Sequence, residues 1–100
     1  MSYTGKLLPP HPGSLLRKML NQFGCTKTVA ARFLGLSRQT IYQIAAEKQA
    51  ITPSVALRVA KMTGTRAEMW LGLQQAYDLA VARVHCRNWL KKVPKLEERW

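Results

Sequence analysis

The stretch AARFLGLSRQTIYQI, residues 30–44, decides how this chain folds. Its apolar residues recur three and four positions apart on both sides of Gly35, which is the spacing of two helices that each bury one face. Only Gly35, Leu36 and Ser37 separate the two apolar runs. A turn this short needs one residue with positive φ, which Gly35 supplies, and a small residue where the helices cross, which Ala31 supplies. The stretch therefore predicts a helix-turn-helix.

The same apolar periodicity predicts one helix before this unit and two after it. Their starts are marked by Pro12, by Thr52 followed by Pro53, and by the capping-box pair Thr65 and Glu68. We expect the last helix to be long and to reach the neighbourhood of Trp89, because Pro94 bars any further continuation. No segment alternates with period two for long enough to form a strand. The chain is predicted to be all-α, with five helices in residues 11–90, an N-terminal arm in residues 1–10 and a charged tail in residues 91–100.

The charge of the chain points to a polyanionic partner. The 100 residues carry 16 Lys and Arg against 5 Asp and Glu, a net charge of +11. Residues 1–64 alone carry +8, with Glu47 as their single acid, whereas residues 65–100 carry +3. A domain this basic attracts a phosphate backbone electrostatically. An anionic membrane is a weaker alternative, because it calls for one strongly amphipathic basic helix and none stands out.

The chemistry of an enzyme or of a metal site is poorly represented. The five carboxylates are scattered along the chain, no Gly-rich phosphate loop is present, and the neighbouring pair His85 and Cys86 is too small a set to hold a metal. We therefore expect no catalytic residue, no metal and no cofactor. Cys25 and Cys86 lie far apart without CxxC spacing. This predicts reduced thiols and a cytoplasmic location.

The helix after Gly35 carries the residues that could read a nucleic acid. At about 100° per residue, Ile41, Ile44 and Ala45 share one side of that helix and turn inward. The opposite side presents hydrogen-bonding groups and no carboxylate: Arg38, Gln39, Thr40, Tyr42 and Gln43. Arg can pair bidentately with guanine and Gln with adenine in the major groove of duplex DNA. We predict base reading by Arg38, Gln39, Thr40 and Gln43.

A second set of residues is predicted to bind phosphate. Thr26, Lys27 and Thr28 combine free N–H groups and a cation at the start of a helix, which is a natural anion site. Lys48 follows the reading helix and is placed to meet the DNA backbone. The full predicted phosphate set is Thr26, Lys27, Thr28, Ser37, Tyr42 and Lys48.

Four segments together carry a family resemblance. HPGSLLRKML (11–20), AARFLGLSRQTIYQI (30–44), ITPSVALRVAKMTGT (51–65) and EMWLGLQQAYDLAVAR (68–83) resemble the HigA-type antitoxins, the VapI group of Xre-like helix-turn-helix proteins. The resemblance implies a five-helix repressor-like domain, a homodimer that binds a palindromic operator in double-stranded DNA, and repression of its own operon. It also implies a HigB-like toxin partner, a ribosome-dependent mRNA endonuclease. The family's reading positions fall on Arg38, Gln39, Thr40 and Gln43, and its phosphate positions fall near Lys27 and Lys48.

One departure from the family concerns the end of the reading helix. The family usually has Asn-Gly or a similar pair there, whereas this chain has Ala46, Glu47 and Lys48. Without glycine, the helix is expected to run a turn longer or to end with strain. Glu47 would also repel phosphate next to Lys48.

The last helix offers candidates for the dimer seam. It has more large apolar residues than one helix needs for a small core, namely Trp70, Leu73, Tyr77, Val81 and Val84. Toxin contacts are predicted at the two ends of the chain, around Tyr3, Leu7 and Leu8 and around Trp89, Leu90 and Trp100. Two alternatives remain at this point: a stand-alone Xre-like regulator without a toxin, and a protein-interaction module whose helix-turn-helix no longer binds DNA.

Overall fold

The computed structural model describes residues 8–97, and these residues form six helices and no strand. The helices are α1 (Pro12–Gln22), α2 (Lys27–Leu34), α3 (Arg38–Ala45), α4 (Pro53–Thr63), α5 (Ala67–His85) and α6 (Arg87–Leu90). The all-α class is confirmed, with one helix more than expected. The long helix ends at His85 because Cys86 leaves helical geometry at φ −98° and ψ 7°. Residues 85–97 are exposed, so no core contact requires the helix to continue straight.

Most helix boundaries follow from their caps. The hydroxyls of Thr26, Ser37 and Thr52 each accept a hydrogen bond from the backbone N–H three residues ahead. Helix α2 ends at Gly35, whose φ is 70°, as the turn requires. The capping box expected at Thr65 and Glu68 is wrong: the cap of α5 is Arg66, and it makes no side-chain cap hydrogen bond. Thr65 instead accepts a 2.7 Å hydrogen bond from Nε1 of Trp70, because a buried indole N–H needs an acceptor.

One apolar core joins the first five helices. Its centre consists of side chains that are fully buried: Leu16, Ile41, Ile44, Val59 and Trp70. Two of these residues, Ile41 and Ile44, belong to α3. Their burial fixes which side of α3 faces outward, so the core itself orients the candidate reading surface.

Helix α1 lies directly against the end of α3. A Cβ atom added to Gly13 would lie 1.8 Å from the carbonyl oxygen of Ile44, so only glycine permits this approach. From the next turn of α1, Arg17 Nη1 donates a hydrogen bond to the carbonyl oxygen of Ala45. The position of α3 therefore depends on a backbone contact from α1.

His11 holds the beginning of α1. It is 3% exposed, and its Nδ1 accepts a 2.9 Å hydrogen bond from the backbone N–H of Gly13. Its ring meets the ring of Tyr77 edge-on, with 4.9 Å between the centroids. Burial lowers the pKa of His11 below its ordinary value of 6.5, while the negative charges of Glu47 and Asp78 act in the opposite direction. The neutral ring is the form that can accept the bond from Gly13.

We predict opposite effects for alanine at two helical glycines. Gly13→Ala should lower the free energy of unfolding by about 1–3 kcal/mol, because the new methyl group overlaps the backbone of α3. Gly72→Ala is the control, since nothing lies within 4 Å of its added Cβ. It should raise stability by about 0.5–1 kcal/mol through helix propensity. Urea unfolding followed by circular dichroism measures both. Equal effects of the two substitutions would contradict the close contact between α1 and α3.

We also predict that stability falls in mild acid. Because the folded pKa of His11 lies below the unfolded value, its contribution is complete above about pH 6.5 and is lost as the pH falls through that value towards the folded pKa. The urea midpoint should therefore be lower at about pH 5 than at about pH 8. His11→Asn keeps a capping side chain that does not titrate, and should remove part of this pH dependence. An unchanged pH profile in His11→Asn would exclude His11 as its source.

Candidate nucleic-acid interface

The outward side of α3 carries the predicted reading residues. Arg38 and Gln39 are exposed, and Thr40 and Gln43 are half-buried at the edges of the same side. Tyr42 is 51% exposed beside them. On the opposite side Ile41, Ile44 and Ala45 are buried, as the helical spacing predicted. With Tyr42, the structure thus presents one guanidinium, two amides and two hydroxyls on a surface without a carboxylate.

Ser37 and Thr40 interact with each other at the start of α3. The Ser37 hydroxyl accepts a 3.0 Å hydrogen bond from the backbone N–H of Thr40 and donates a 2.9 Å bond to its Oγ1. The Ser37 hydroxyl proton is therefore already in use within the protein. Thr40 accepts from Ser37, so its own hydroxyl proton can be donated outward. This arrangement favours Thr40 over Ser37 as a donor to DNA.

Three of the six predicted phosphate residues line one cleft. Lys27 Nζ lies 5.4 Å from the centroid of the Tyr42 ring, within the range of a cation–π contact. Thr26, Lys27 and Tyr42 line a cleft of about 240 Å³, together with Arg17 and Asn21 of α1. Thr28 lies exposed on the first turn of α2. The cleft joins the start of α2 to the flank of the reading helix, and its charged side chains are cations.

Arg58 fixes the turn between α2 and α3, a role that the sequence pattern did not reveal. Its Nη1 donates to the carbonyl oxygens of Leu34, at 3.0 Å, and of Gly35, at 3.1 Å. These carbonyls lie where α2 ends, so they lack partners within the helix. Arg58 lies on α4, more than 20 residues along the chain from the turn. No local signal in residues 30–44 could have identified it.

Of the two outcomes expected at the end of α3, the structure shows strain and not an extra helical turn. Helix α3 ends at Ala45, and Glu47 adopts φ 65°, the left-handed region that favours glycine. The carboxylate of Glu47 lies 3.6 Å from the guanidinium of Arg17, the same group that binds the carbonyl of Ala45. Arg17 therefore satisfies the end of the helix and also offsets the negative charge beside Lys48. Lys48 itself is exposed.

The structure corrects one member of the expected dimer seam. Trp70 is fully buried in the core of its own chain, so it is not available to a second copy. Leu73, Tyr77, Val81 and Val84 are half-buried along α5. On another side of α5, a shallow apolar depression includes Leu79, which is 44% exposed.

Two further findings concern other kinds of site. Within residues 8–97, no three His, Cys, Asp or Glu side chains come together as a set that could hold a metal. No helix in that same range combines the length and the apolarity needed to cross a bilayer.

Comparison with known proteins agrees with this geometry. The family described as Helix-turn-helix matches residues 16–70. Virulence-associated protein A' of Dichelobacter nodosus is 35% identical over 80% of this chain and 70% of its own length. The antitoxin HigA of Pseudomonas aeruginosa, solved with the higBA promoter, has 31% identity and a TM-score of 0.83 over 89% of this chain and 99% of its own. The antitoxin GraA, solved with its operator, is 31% identical with a TM-score of 0.81, and the match covers 97% of this chain and 99% of the GraA chain.

The chain belongs to the helix-turn-helix family, as a protein of the HigA type. The resemblance stated from the sequence is thereby confirmed, and so is the repressor-like fold. This HigA-type protein is not an enzyme, because proteins of this family act by binding DNA.

We predict that Glu47→Gly stabilises this HigA-type protein. It relieves the left-handed backbone of Glu47, which costs a residue with a side chain roughly 1–2 kcal/mol. The substitution removes only the ion pair between Arg17 and Glu47, whose side chains are about 40% exposed, so that the pair contributes little to stability. We expect a gain of about 1 kcal/mol in the free energy of unfolding. Glu47→Gln is the matched control, because it removes the charge and keeps the strain. If chemical unfolding shows Glu47→Gly to be no more stable than Glu47→Gln, the strain does not exist.

Proposed function

We propose that this HigA-type protein is a sequence-specific, double-stranded DNA-binding antitoxin that represses its own operon and neutralises a HigB-like, ribosome-dependent mRNA endonuclease. The observation that carries the DNA-binding part is the outward side of α3. There Arg38, Gln39 and Gln43 stand on a helix whose orientation is fixed by buried Ile41 and Ile44. The promoter and operator complexes of HigA and GraA support the same use of this fold.

Base recognition is assigned to the hydrogen-bonding groups of α3. Arg38 at the helix start suits the two acceptors of guanine, and the amides of Gln39 and Gln43 suit the donor and acceptor pair of adenine. Thr40 adds a hydroxyl donor at the edge of this surface. Because this side of α3 carries no acid, it can approach phosphates without repulsion.

Phosphate binding is assigned to the cleft between α2 and α3 and to its surroundings. Lys27 supplies the cation, and Tyr42, whose ring is in contact with Lys27, supplies a hydroxyl group. Thr26 caps α2 and Thr28 lies in its first turn, where free N–H groups attract an anion. Ser37 and Lys48 complete the predicted set at the two ends of α3.

The protein is proposed to act as a two-fold homodimer. One reading helix contacts too few bases to define a unique site, whereas two helices about 34 Å apart can read a palindrome. The seam is assigned to α5, through Leu73, Tyr77, Val81 and Val84. Of these, Tyr77 is already in contact with His11 of its own chain.

The toxin is proposed to bind through apolar contacts at the ends of the chain. Toxins of this kind act on RNA and are expected to be basic, so an antitoxin of charge +11 repels them at long range. Trp89 and Leu90 are 70% and 55% exposed, and thus available for such contacts. Leu8 is half-buried and lines a cleft with His11 and Tyr77. Tyr3, Leu7 and Trp100, which were also predicted to participate, lie outside the described residues.

If some residues read bases and others bind phosphate, substitutions in the two sets should affect DNA binding differently. Gln39→Ala or Gln43→Ala should lose about 1–3 kcal/mol on the operator and little on random duplex DNA, because each removes a base contact. Lys27→Ala should weaken both equally and lower the salt dependence, which is about −0.9 in log K per log salt for each neutralised phosphate. Electrophoretic mobility shifts over a salt series measure all three variants.

Three results would each refute part of this proposal. One is a Gln43→Ala variant that keeps the wild-type ratio of operator to random DNA affinity. Another is a footprint on the promoter that covers a single half-site, which would exclude the dimer. An affinity independent of salt would contradict phosphate binding altogether.

The toxin assignment predicts a phenotype in cells. Co-expression of the full chain with the product of the neighbouring gene should permit growth, and deletion of residues 1–10 or 89–100 should restore toxicity in at least one case. Operator binding by the deleted chains is the control, because neither deletion removes a residue of α3. If both deletions still protect, the contacts lie elsewhere. If the neighbouring gene encodes no toxin, the protein is a stand-alone Xre-like regulator.

A further inference from the structure

An apolar groove opens between α1, α2 and α4, with no residue of α3 in its lining. It has a volume of about 210 Å³ and is lined by Met19, Leu20, Phe23, Cys25, Phe33, Met62 and Thr63. Two of these residues stand out, because Phe23 is 74% exposed and Phe33 is 70% exposed. Met19 and Met62 are half-buried and pack against the core. The groove thus has an adaptable methionine floor and two exposed aromatic rings.

This combination is typical of a protein-binding surface. Single exposed apolar residues are common, but two exposed phenylalanines that line one concave site form a contiguous apolar patch. Methionine side chains adapt their shape to an inserted group, and exposed aromatic rings are frequent anchors in interfaces. Neither Phe23 nor Phe33 has a role in the DNA assignment above. The apolar groove therefore requires an explanation other than DNA binding.

The charges around the groove select the partner. Each of the three helices has an exposed cation next in sequence to a lining residue: Lys18 precedes Met19, Arg32 precedes Phe33 and Lys61 precedes Met62. No Asp or Glu is a lining residue or its neighbour in sequence. All lining residues belong to residues 1–64, which carry a net charge of +8 with Glu47 as their single acid. The electrostatic field of this part of the chain therefore favours an apolar surface that is flanked by acids.

We propose that this groove binds an acidic amphipathic helix of a partner protein. The apolar side of the helix would insert between Phe23 and Phe33, and its flanking Asp and Glu side chains would meet Lys18, Arg32 and Lys61. A second copy of this chain fits poorly, because its net charge of +11 would be repelled. Residues 1–7 fit poorly as well, since they contain Lys6 and no acid. A basic toxin is disfavoured for the same reason, so this partner is additional to the one proposed above.

The apolar groove lies next to the cleft that is proposed to bind phosphate. Leu20 and Cys25 line both the apolar groove and the cleft that contains Lys27 and Tyr42. The reading side chains of α3 take no part in the groove, so a helix bound there would leave them free for DNA. A partner can thus be held by the protein while it occupies its operator.

Two synthetic helical peptides test the proposal. Both carry the same stripe of Leu and Phe, and this stripe is flanked by Glu in one peptide and by Lys in the other. Fluorescence anisotropy with the full chain should show binding of the Glu peptide, with an affinity that falls as salt rises. The Lys peptide should bind at least about tenfold more weakly, because the surrounding cations repel it.

Substitutions in the protein test whether the Glu peptide binds in the apolar groove. The double variant Phe23→Ser, Phe33→Ser should bind the Glu peptide at least about tenfold more weakly than the wild type does. Leu57→Ser is the matched control, because Leu57 is an apolar residue of α4 that is 65% exposed and does not line the groove. It should bind the peptide like the wild type. Thermal unfolding and operator binding of the Phe variant should be unchanged, which separates this test from that of the proposed function.

Several outcomes would overturn the proposal. They are failure of the Glu peptide to bind, equal binding of the Lys peptide, and full binding by the double Phe variant. Analytical ultracentrifugation adds one more: if the wild type is a dimer and the double Phe variant is a monomer, then a second copy covers the groove and the acidic partner is excluded.

Discussion

The contact between the first turn of α1 and the last turn of α3 governs the rest of this structure. Gly13 brings the backbone of α1 so close to the carbonyl of Ile44 that no larger residue fits. His11 holds that turn through its bond to the backbone of Gly13, and it also packs against Tyr77 of α5. Helix α3 is only eight residues long and would not be stable alone. The direction of α3 is therefore set by the residues packed behind it, and displacement of α1 would move every side chain proposed to read DNA.

Arginines from the supporting helices complete this arrangement at both ends of the helix-turn-helix. Arg58 of α4 binds the carbonyls at the turn that precedes α3, and Arg17 of α1 binds the carbonyl at its end. In each case a fixed guanidinium satisfies oxygens that a short helix leaves unpaired. Arg17 also pairs with Glu47, which has the left-handed backbone that favours glycine. The ion pair with Arg17, a residue of another helix, thus offsets the negative charge of Glu47 beside the proposed DNA surface.

The strong positive charge serves more than one surface. Around α2 and α3 it lies beside polar groups that suit bases and phosphates. Around Phe23 and Phe33 it lies beside an apolar groove, where the same attraction favours an acidic protein. The net charge of +11 alone could not separate these two uses, since Coulomb attraction at a distance does not distinguish a phosphate from a carboxylate. The shape and the polarity of each surface make that distinction.

Local features follow from the amino-acid sequence alone: the two short helices around Gly35, the Thr and Ser caps, the buried side of α3 and its acid-free outward side. These depend on neighbours within one or two helical turns, and periodicity reports them directly. The sequence also indicated strain after Ala46. The packing of the helices is what places Trp70 in the core and not at a dimer seam. The same packing makes Thr65 the acceptor for the Trp70 indole N–H and not part of a capping box. Only the tertiary structure brought together Arg17 with Ala45, 28 residues apart, and Arg58 with Leu34, 24 residues apart. Helical spacing shows which side of each helix is buried, but which distant groups then meet depends on how the helices pack.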